Sequence, residues 1–396
     1  MAAPTNDAGE TRAPVPPTPD EVRQALRAVI DPELGDNIVD LGMVRSVAVA
    51  DDGTVAVAVA LTIAGCPLRS QIERDVRGRI AGMDAVAAVD LTIAEMDATE
   101  KAAVMSRARW KAREGAPDTA VPADTRVLAV ASGKGGVGKS SVTVNLAVAL
   151  ARRGLSVGVL DADVWGFSVP RLLGMEGEIE ARGGKMVPLE LPVGDGVLRV
   201  LSMGFLADED RAIMWRGLVL NRAVQQFLQD AHWGDVQYLL IDLPPGTGDV
   251  QMGLARMLPR TEMLVVTTPP VAAQQVASRA ADMARRGYLR VAGVIENMSD
   301  FTCEHGTTYA LFGSGGGQRL ATSLGVPLVG TIPMHPDFSA GGDAGEPVAL
   351  GGGELAAVFA EMARRVAEEL APVIETSGCT ARLLDQVERA VAAAEG

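Results

Sequence analysis

Apolar positions in the first hundred residues follow helical and strand spacings, which together predict a small α+β domain. Val22, Leu26 and Ile30 recur at every fourth position, so we expect a helix that begins near Asp20, with Asp20 as its N-cap, and stops at Pro32. The other predicted elements are strands at 44–50 and 54–63, a helix at 67–80 and a strand at 86–94. These elements place the small domain at residues 20–95.

The longer second part of the chain alternates short apolar runs with helical stretches. The apolar runs are 127–131, 157–160, 238–241, 263–267 and 291–295, and the helical stretches between them are 140–153, 221–232 and 271–286. Continuous apolar runs of this kind are typical of strands buried on both faces, and the alternation favours a parallel sheet covered by helices on each side. The pattern predicts a doubly wound α/β domain over residues 125–372.

Three further segments connect or flank these domains. Residues 1–19 hold five prolines among small residues and are expected to form a disordered arm. Residues 96–124 are expected to form a helix and a linker, and 373–396 a C-terminal tail that ends in an amphipathic helix. The basic residues of the connecting helix are interpreted as a solvated face; they are Lys101, Arg107, Arg109, Lys111 and Arg113.

Composition narrows the possible functions. The 396 residues carry 36 Lys and Arg against 50 Asp and Glu, a net charge of −14, which argues against nucleic acid as a partner. The longest apolar run, 55–64, is too short to cross a bilayer, and the N-terminus lacks a signal-peptide pattern. Three cysteines cannot form a disulfide framework. We therefore expect a cytoplasmic protein without a membrane partner.

The strongest chemical signal is a glycine-rich loop between a predicted strand and a predicted helix. Gly133-Lys-Gly-Gly-Val-Gly-Lys-Ser140 fits the pattern G-x-x-x-x-G-K-[ST], in which backbone N–H groups surround nucleotide phosphates. Lys139 is expected to reach the β- and γ-phosphates, and Ser140 to bind Mg²⁺. The second lysine of the loop, Lys134, is either a solvated side chain or a charge that crosses a two-fold axis to the partner's nucleotide.

Two predicted strands end in carboxylates at the edge where ligands bind in open α/β sheets. Asp242 follows an apolar strand and is expected to hold the Mg²⁺ shell. Asp161 and Asp163 follow another strand, and one of the two is expected to position the attacking water.

At this point the chain resembles a known family. The stretch Ser132–Ser141 resembles the deviant P-loop of the MinD/ParA/nitrogenase-iron-protein class of dimeric ATPases. Further segments resemble the Mrp/ApbC family of iron–sulfur cluster carriers; they are Asp161-Ala-Asp-Val-Trp-Gly166, Met214-Trp-Arg-Gly217, Asp242-Leu-Pro-Pro-Gly-Thr-Gly-Asp249, Glu296-Asn-Met-Ser299 and Phe312-Gly-Ser-Gly-Gly-Gly317. The segments Asp31-Pro-Glu33, Asn37–Gly42 and Gly65-Cys-Pro67 resemble the small iron–sulfur assembly domain that precedes many bacterial Mrp ATPases.

This resemblance implies specific roles for individual residues. Lys134 acts across a homodimer, Asp163 orients water, and Asp242 with Gly246 forms the second switch. Asn297 recognises adenine. The residues implied to bind ATP are Gly133, Lys134, Gly135, Gly136, Val137, Gly138, Lys139, Ser140, Ser141 and Asn297. The implied activity is slow, Mg²⁺-dependent ATP hydrolysis that serves the transfer of a transient [4Fe–4S] cluster from a scaffold to apoproteins.

The sequence departs from this family at the cluster ligands. Cys303 is present, but the second cysteine of the family's C-x-x-C pair is missing, and His305 stands one place before it. A [4Fe–4S] cluster is held by four ligands, so two Cys303 thiolates supply half of the shell. His305 of both chains, Cys66 of the first domain, or a substrate or small thiol could complete it. Cys379 is expected to have no role.

Two other functions compete with this interpretation. A MinD/ParA-like positioning ATPase that acts on membrane or DNA would need a basic amphipathic C-terminal helix, whereas residues 382–395 hold two Arg against three acidic residues. A nitrogenase-like reductase would need two well-placed cysteines per chain, where this region has one.

Overall fold

The computed structural model describes residues 15–31, 36–61, 69–114, 116–163, 166–205, 217–246 and 248–374. The chain divides into two compact units, 1–114 and 115–396. Of the arm expected over residues 1–19, residues 1–14 lie outside the described residues, whereas Pro19 is the first residue of a helix. Cys66, the tail beyond Ile374 with Cys379, and most of the Met214–Gly217 segment also lie outside the described residues.

The first unit is a small α+β fold. Its elements are α1 Pro19–Leu26, β1 Ile30–Asp31, β2 Asp36–Asn37, β3 Val44–Val49, β4 Thr54–Leu61, α2 Arg69–Ala81, β5 Ala88–Glu95 and α3 Ala98–Glu114. The central strand β4 pairs antiparallel with β3 and parallel with β5. Val55, Val57 and Val59 alternate along β4 and are at most 2% exposed, so one face of this sheet forms the core.

The first helix differs from the expectation at both ends. Thr18, not Asp20, is the N-cap: its hydroxyl accepts from the Glu21 N–H, and the Glu21 carboxylate binds back to the Thr18 N–H in a capping box. The helix ends at Leu26, because the chain turns into β1 and Ile30 pairs with Asn37 of β2. The predicted helical face at Ile30 is therefore wrong, and this residue is 48% exposed.

Helix α3 is held to the first unit by polar contacts. Glu100 pairs with Arg45 at 2.5 Å, and Lys101 pairs with Glu95 at 2.7 Å. Arg107 donates to the Leu41 carbonyl at 3.0 Å. Two of the basic residues expected on a solvated face, Lys101 and Arg107, thus have specific partners.

The second unit is the expected doubly wound α/β fold. Its strands are β6 Arg126–Ser132, β7 Ser156–Asp161, β8 Glu180–Arg182, β9 Lys185–Val187, β10 Leu189–Val193, β11 Gly196–Ser202, β12 Tyr238–Asp242, β13 Glu262–Thr267, β14 Arg290–Thr302, β15 Thr308–Tyr309 and β16 Leu328–Met334. The central strands lie in the order β10-β11-β7-β12-β6-β13-β14, with β16 beside β14. Neighbours from β11 to β16 pair in parallel, whereas β10 and β15 are antiparallel.

Helices cover both faces of this sheet. They are α4 Lys139–Ala151, α5 Val169–Leu172, α6 Gly217–Gln229, α7 Gly248–Met257, α8 Val271–Arg286, α9 Gly316–Leu324, α10 Pro336–Ala344 and α11 Glu354–Arg365, and a π-helical turn, Val366–Leu370, follows α11. Helices α4 and α11 contribute to the hydrophobic core on one face, and α6 to α9 to the core on the other. Within the described ranges, no helix has the length and apolar character needed to cross a membrane.

Candidate functional site

The predicted phosphate loop and acidic strand ends meet at one edge of the large sheet. The loop follows the carboxyl end of β6, and Asp242 and Asp161 are the last residues of β12 and β7. Asp242 and Asp161 are also paired in register across those strands. Parallel strands present their carboxyl ends at the same edge, so the topology brings the loop and both carboxylates together.

Glycine is required in the loop for two different reasons. Gly136 and Gly138 both have φ +78°, a left-handed conformation that side-chain-bearing residues rarely adopt. Gly133 has an ordinary backbone, but a Cβ there would lie 2.3 Å from the backbone carbon of Val276 in α8. The loop therefore packs directly on a helix. Gly138 precedes α4 without a side-chain cap, which leaves the helix N–H groups available for an anion.

Lys139 and Asp242 form a buried ion pair at the start of α4. The Lys139 ammonium lies 2.7 Å from Oδ1 of Asp242, and the side chains are 6% and 0% exposed. The Ser140 hydroxyl donates to the other carboxylate oxygen, Oδ2, at 2.5 Å. The Thr143 hydroxyl lies 2.9 Å from Oδ1. Thr143 was not among the predicted site residues, although it stands one helical turn after Lys139.

The donor set suits a nucleotide with Mg²⁺. Mg²⁺ prefers hard oxygen ligands, and the hydroxyl of Ser140 and the carboxylate of Asp242 lie side by side at the helix N-terminus. Lys139 supplies a cation at the same point. Lys134 and Gly135 are exposed, whereas Val137 is buried under the loop.

Asp161 and Asp163 occupy different environments. Asp161 is 0% exposed, and its carboxylate accepts hydrogen bonds from the Asp163, Ser168 and Val169 N–H groups and the Ser202 hydroxyl. Burial, with the nearby Asp242 carboxylate, raises the pKa of Asp161 to about 7. Asp163 is only partly buried, so it is the member of the pair that can face a ligand.

Asn297 lies beneath the phosphate loop. Its amide Nδ2 donates to the Val137 carbonyl at 2.9 Å, and the side chain is 1% exposed. Its Oδ1 is buried and has no hydrogen-bond partner in the described part of the chain. The adjacent residue, Glu296, accepts from the N–H of Gly317 at the start of α9.

Cys303 lies in a tight turn at the end of the same strand, β14. Phe301 and Thr302 pair with Tyr309 and Thr308 of β15, and the Gly306 N–H donates to the Cys303 carbonyl at 2.9 Å. The backbone N–H of His305, followed by that of Thr307, donates to the sulfur and lowers the pKa of the Cys303 thiol.

The predicted cluster ligands are not assembled within the described residues. The His305 side chain is 82% exposed, and its Nε2 lies 3.6 Å from a carboxylate oxygen of Glu304. Among the residues that the structure describes, no group of three or more His, Cys, Asp or Glu side chains is arranged to hold a metal ion.

An exposed apolar patch follows the Cys303 turn. Tyr309, Leu311 and Phe312 are 49%, 58% and 47% exposed. Adjacent large apolar side chains on a surface mark an interaction site more often than isolated ones do. We call these three residues the apolar arm.

The fold and this site define a P-loop NTPase. The family model described as ParA, NUBPL iron-transfer P-loop NTPase, matches residues 124–370, and the chain belongs to this family. A second model, described as iron–sulfur cluster assembly protein, matches residues 19–91.

The chain is also similar to individual known proteins. The chain is similar to proteins named iron–sulfur cluster carrier protein. One, from Mycobacterium tuberculosis strain H37Rv, is 46% identical and is matched over 83% of this chain and 87% of its own length. One from Synechocystis is 38% identical over 87% of this chain and 94% of its own. A solved nucleotide-binding protein in complex with ADP, from Archaeoglobus fulgidus, is 36% identical, with TM-score 0.49 and coverage of 56% of this chain and 86% of that one.

Proposed function

We propose that this protein is an ATP-hydrolysing carrier of [4Fe–4S] clusters, which receives a cluster from a scaffold and transfers it to apoproteins in the cytoplasm. The observation that carries the proposal is the shared strand β14: Asn297 on this strand contacts the phosphate loop, and Cys303 lies in the turn at its end. The proposed nucleotide site and cargo thiol thus lie on one strand and the turn that follows it, in a chain whose relatives are named cluster carriers.

Each residue of the phosphate loop has a role in this proposal. The N–H groups of Gly133 to Ser141 bind the phosphates, and Lys139 exchanges Asp242 for the β- and γ-phosphate oxygens. Ser140 and Asp242 would hold Mg²⁺, which neutralises charge on the phosphates when it is bound.

Asp163 supports the hydrolytic step. Its carboxylate orients a water molecule toward the γ-phosphorus and accepts the proton as the new P–O bond forms. The bond between the γ-phosphorus and the bridging oxygen breaks, and ADP and phosphate leave. The rate is expected to be slow, since the exposed Lys134 must come from the partner chain to complete the site.

Asn297 is proposed to recognise adenine. Its Oδ1 is a buried acceptor with no hydrogen-bond partner in the described residues, and the adenine amino group is a donor. The Nδ2 bond to the Val137 carbonyl would fix the orientation of this amide.

The cargo site is proposed to form between two copies of the chain. One Cys303 per chain gives two thiolates of the four ligands that a [4Fe–4S] cluster needs. The apolar arm beside Cys303 supplies a surface that a second chain can cover. His305, Cys66 or an external thiol completes the shell.

Anaerobic reconstitution tests the proposal. The wild-type protein is treated with iron and sulfide, then examined by absorption spectroscopy and by iron and sulfide counting, beside Cys303→Ala, His305→Ala, Cys66→Ala and, as the cysteine control, Cys379→Ala. We expect a bound cluster in the wild type and in Cys379→Ala, and none in Cys303→Ala. Loss in His305→Ala or Cys66→Ala identifies the completing ligand. A wild type that binds no cluster would refute the carrier function.

A further inference from the structure

Asp161 is surrounded by hydrogen-bond donors that come from three parts of the chain. Its Oδ1 accepts from the N–H of Asp163 at 3.1 Å. Its Oδ2 accepts from the Ser168 and Val169 N–H groups at 3.1 and 3.2 Å and from the Ser202 hydroxyl at 3.0 Å. One carboxylate therefore joins both ends of the segment 163–169 to the end of β11.

This network continues beyond Ser202. The Ser202 hydroxyl accepts from the Gly204 N–H at 3.0 Å, so it joins Asp161 to the turn Met203–Phe205. The turn also packs on the same segment, because a Cβ at Gly204 would lie 2.6 Å from the Phe167 ring. Asp161 thus binds Asp163, Ser168 and Val169, and the turn packs on Phe167.

A buried carboxylate at the position of Asp161 is unfavourable for folding. Asp161 is 0% exposed and stands in register with the carboxylate of Asp242, an arrangement that costs stability. A carboxylate nevertheless offers what neutral side chains lack, which is acceptors on both oxygens and no donor. All four donors that point at Asp161 need an acceptor.

We propose that Asp161 is a positioning residue for ATP hydrolysis, which fixes Asp163 by binding both ends of segment 163–169 and linking it to Ser202. This inference rests on the ATPase activity proposed above. Asp161 does not touch the nucleotide; it acts through Asp163. Its loss should therefore lower the rate of the chemical step and leave nucleotide affinity unchanged.

The substitution Asp161→Asn separates these effects. In the wild type, Oδ2 accepts three hydrogen bonds, whereas Oδ1 accepts only the one from Asp163. The carboxamide is therefore expected to keep its oxygen at the place of Oδ2 and to turn its NH₂ toward the Asp163 N–H. Two donors then face each other, and the anchor of Asp163 is lost. Displacement of a catalytic group by about 1 Å costs on the order of 10²-fold in rate.

The test measures steady-state ATP hydrolysis, the Kd of a non-hydrolysable ATP analogue and chymotrypsin cleavage after Phe167. Asp161→Asn is expected to lower kcat on the order of 10²-fold, leave Kd unchanged and speed the cleavage. Ser202→Ala removes one hydrogen bond and should lower kcat roughly fivefold. Thr125→Val is the matched control, because Thr125 has a buried hydroxyl that binds the Val236 carbonyl at the opposite edge of the sheet.

Several results would overturn the inference. They are a wild-type kcat in Asp161→Asn, a loss of affinity that matches the loss of kcat, and an equal loss of kcat in Thr125→Val. If Asp161→Asn does not fold, the inference is tested with Ser202→Ala, by its kcat, its Kd and the comparison with Thr125→Val. A wild type without ATPase activity would refute the proposed function itself, which distinguishes the two failures.

Discussion

The Lys139 ammonium lies 2.7 Å from Oδ1 of Asp242, and this pair is buried at the point where α4 begins. Both residues are among the predicted nucleotide-site residues, and each neutralises the charge of the other. In the proposed function, the phosphates would take the place of Asp242 as the anionic partner of Lys139, and Asp242 would then be available to hold Mg²⁺.

The two loop lysines should differ sharply in their effect on stability. Lys139→Ala leaves the buried Asp242 carboxylate without its cation, which costs about 3 kcal/mol of unfolding free energy. Lys134 is exposed, and Lys134→Ala should stay within about 0.5 kcal/mol of the wild type. Both variants should lose ATPase activity. Urea unfolding without nucleotide measures the difference in the free energy of unfolding. Equal stability of the two variants would contradict a buried Lys139–Asp242 ion pair.

Two glycines of the loop offer a second matched comparison. Gly136→Ala and Gly138→Ala share the strain of φ +78°, about 1 kcal/mol each. A Cβ at Gly136 meets open space, whereas at Gly138 it would lie 2.4 Å from Nδ2 of Asn297 and break the bond to Val137. We expect Gly138→Ala to be the less stable variant in urea unfolding. The reverse order would show that Asn297 is not packed under the loop.

The thiol of Cys303 should react at lower pH in the folded protein than in the unfolded one. The N–H groups of His305 and Thr307 stabilise the thiolate and lower its pKa, so deprotonation begins at lower pH than in an unfolded chain. In a Cys66→Ser/Cys379→Ser background, the iodoacetamide rate is followed against pH with and without urea. A folded midpoint equal to or above the unfolded one would contradict the turn geometry.

The apolar arm should be needed for self-association. Leu311→Asp places a charge among the side chains that the proposed dimer would cover, so dimers formed with an ATP analogue should be lost. Leu350 is also exposed, at 41%, and lies outside the arm, so Leu350→Asp serves as the control and should still dimerise. Light scattering gives the mass of each variant. Dimers that survive Leu311→Asp would exclude the arm as the contact.

The sequence predicted the five central strands β7, β12, β6, β13 and β14, because they are continuous apolar runs between helical stretches. It did not predict β11 and β16, the parallel strands on either side of these five. It missed β10, whose burial alternates along Leu189–Val193 at the sheet edge, and α9, which begins with Gly316 and Gly317. Edge strands and glycine-rich helix starts lack the continuous apolar signal. The N-cap of α1 was misplaced because Asp20 and Thr18 are both good cap residues, and the capping box with Glu21 decided between them.

The sequence predicted the parts of the candidate site that follow a local motif. It did not predict the contacts between side chains that are distant along the chain. The loop Gly133–Ser140 was found because it fits the pattern G-x-x-x-x-G-K-[ST], and Asp242 because it ends an apolar strand. The pairing of Lys139 with Asp242, and of Asn297 with Val137, depends on the positions of strands β12 and β14 relative to β6 in the sheet. Such contacts join residues more than a hundred positions apart, and no local pattern encodes them.

Transfer of a cluster to an apo-enzyme is the most direct test of the proposed carrier function. Anaerobically reconstituted protein is mixed with an apo-enzyme that requires a [4Fe–4S] cluster, in the presence of an iron chelator, and the regained enzyme activity is followed with and without Mg-ATP. We expect activation by the wild type, none by Cys303→Ala, and a nucleotide effect that Lys139→Ala abolishes. Activation by Cys303→Ala equal to that by the wild type would contradict it.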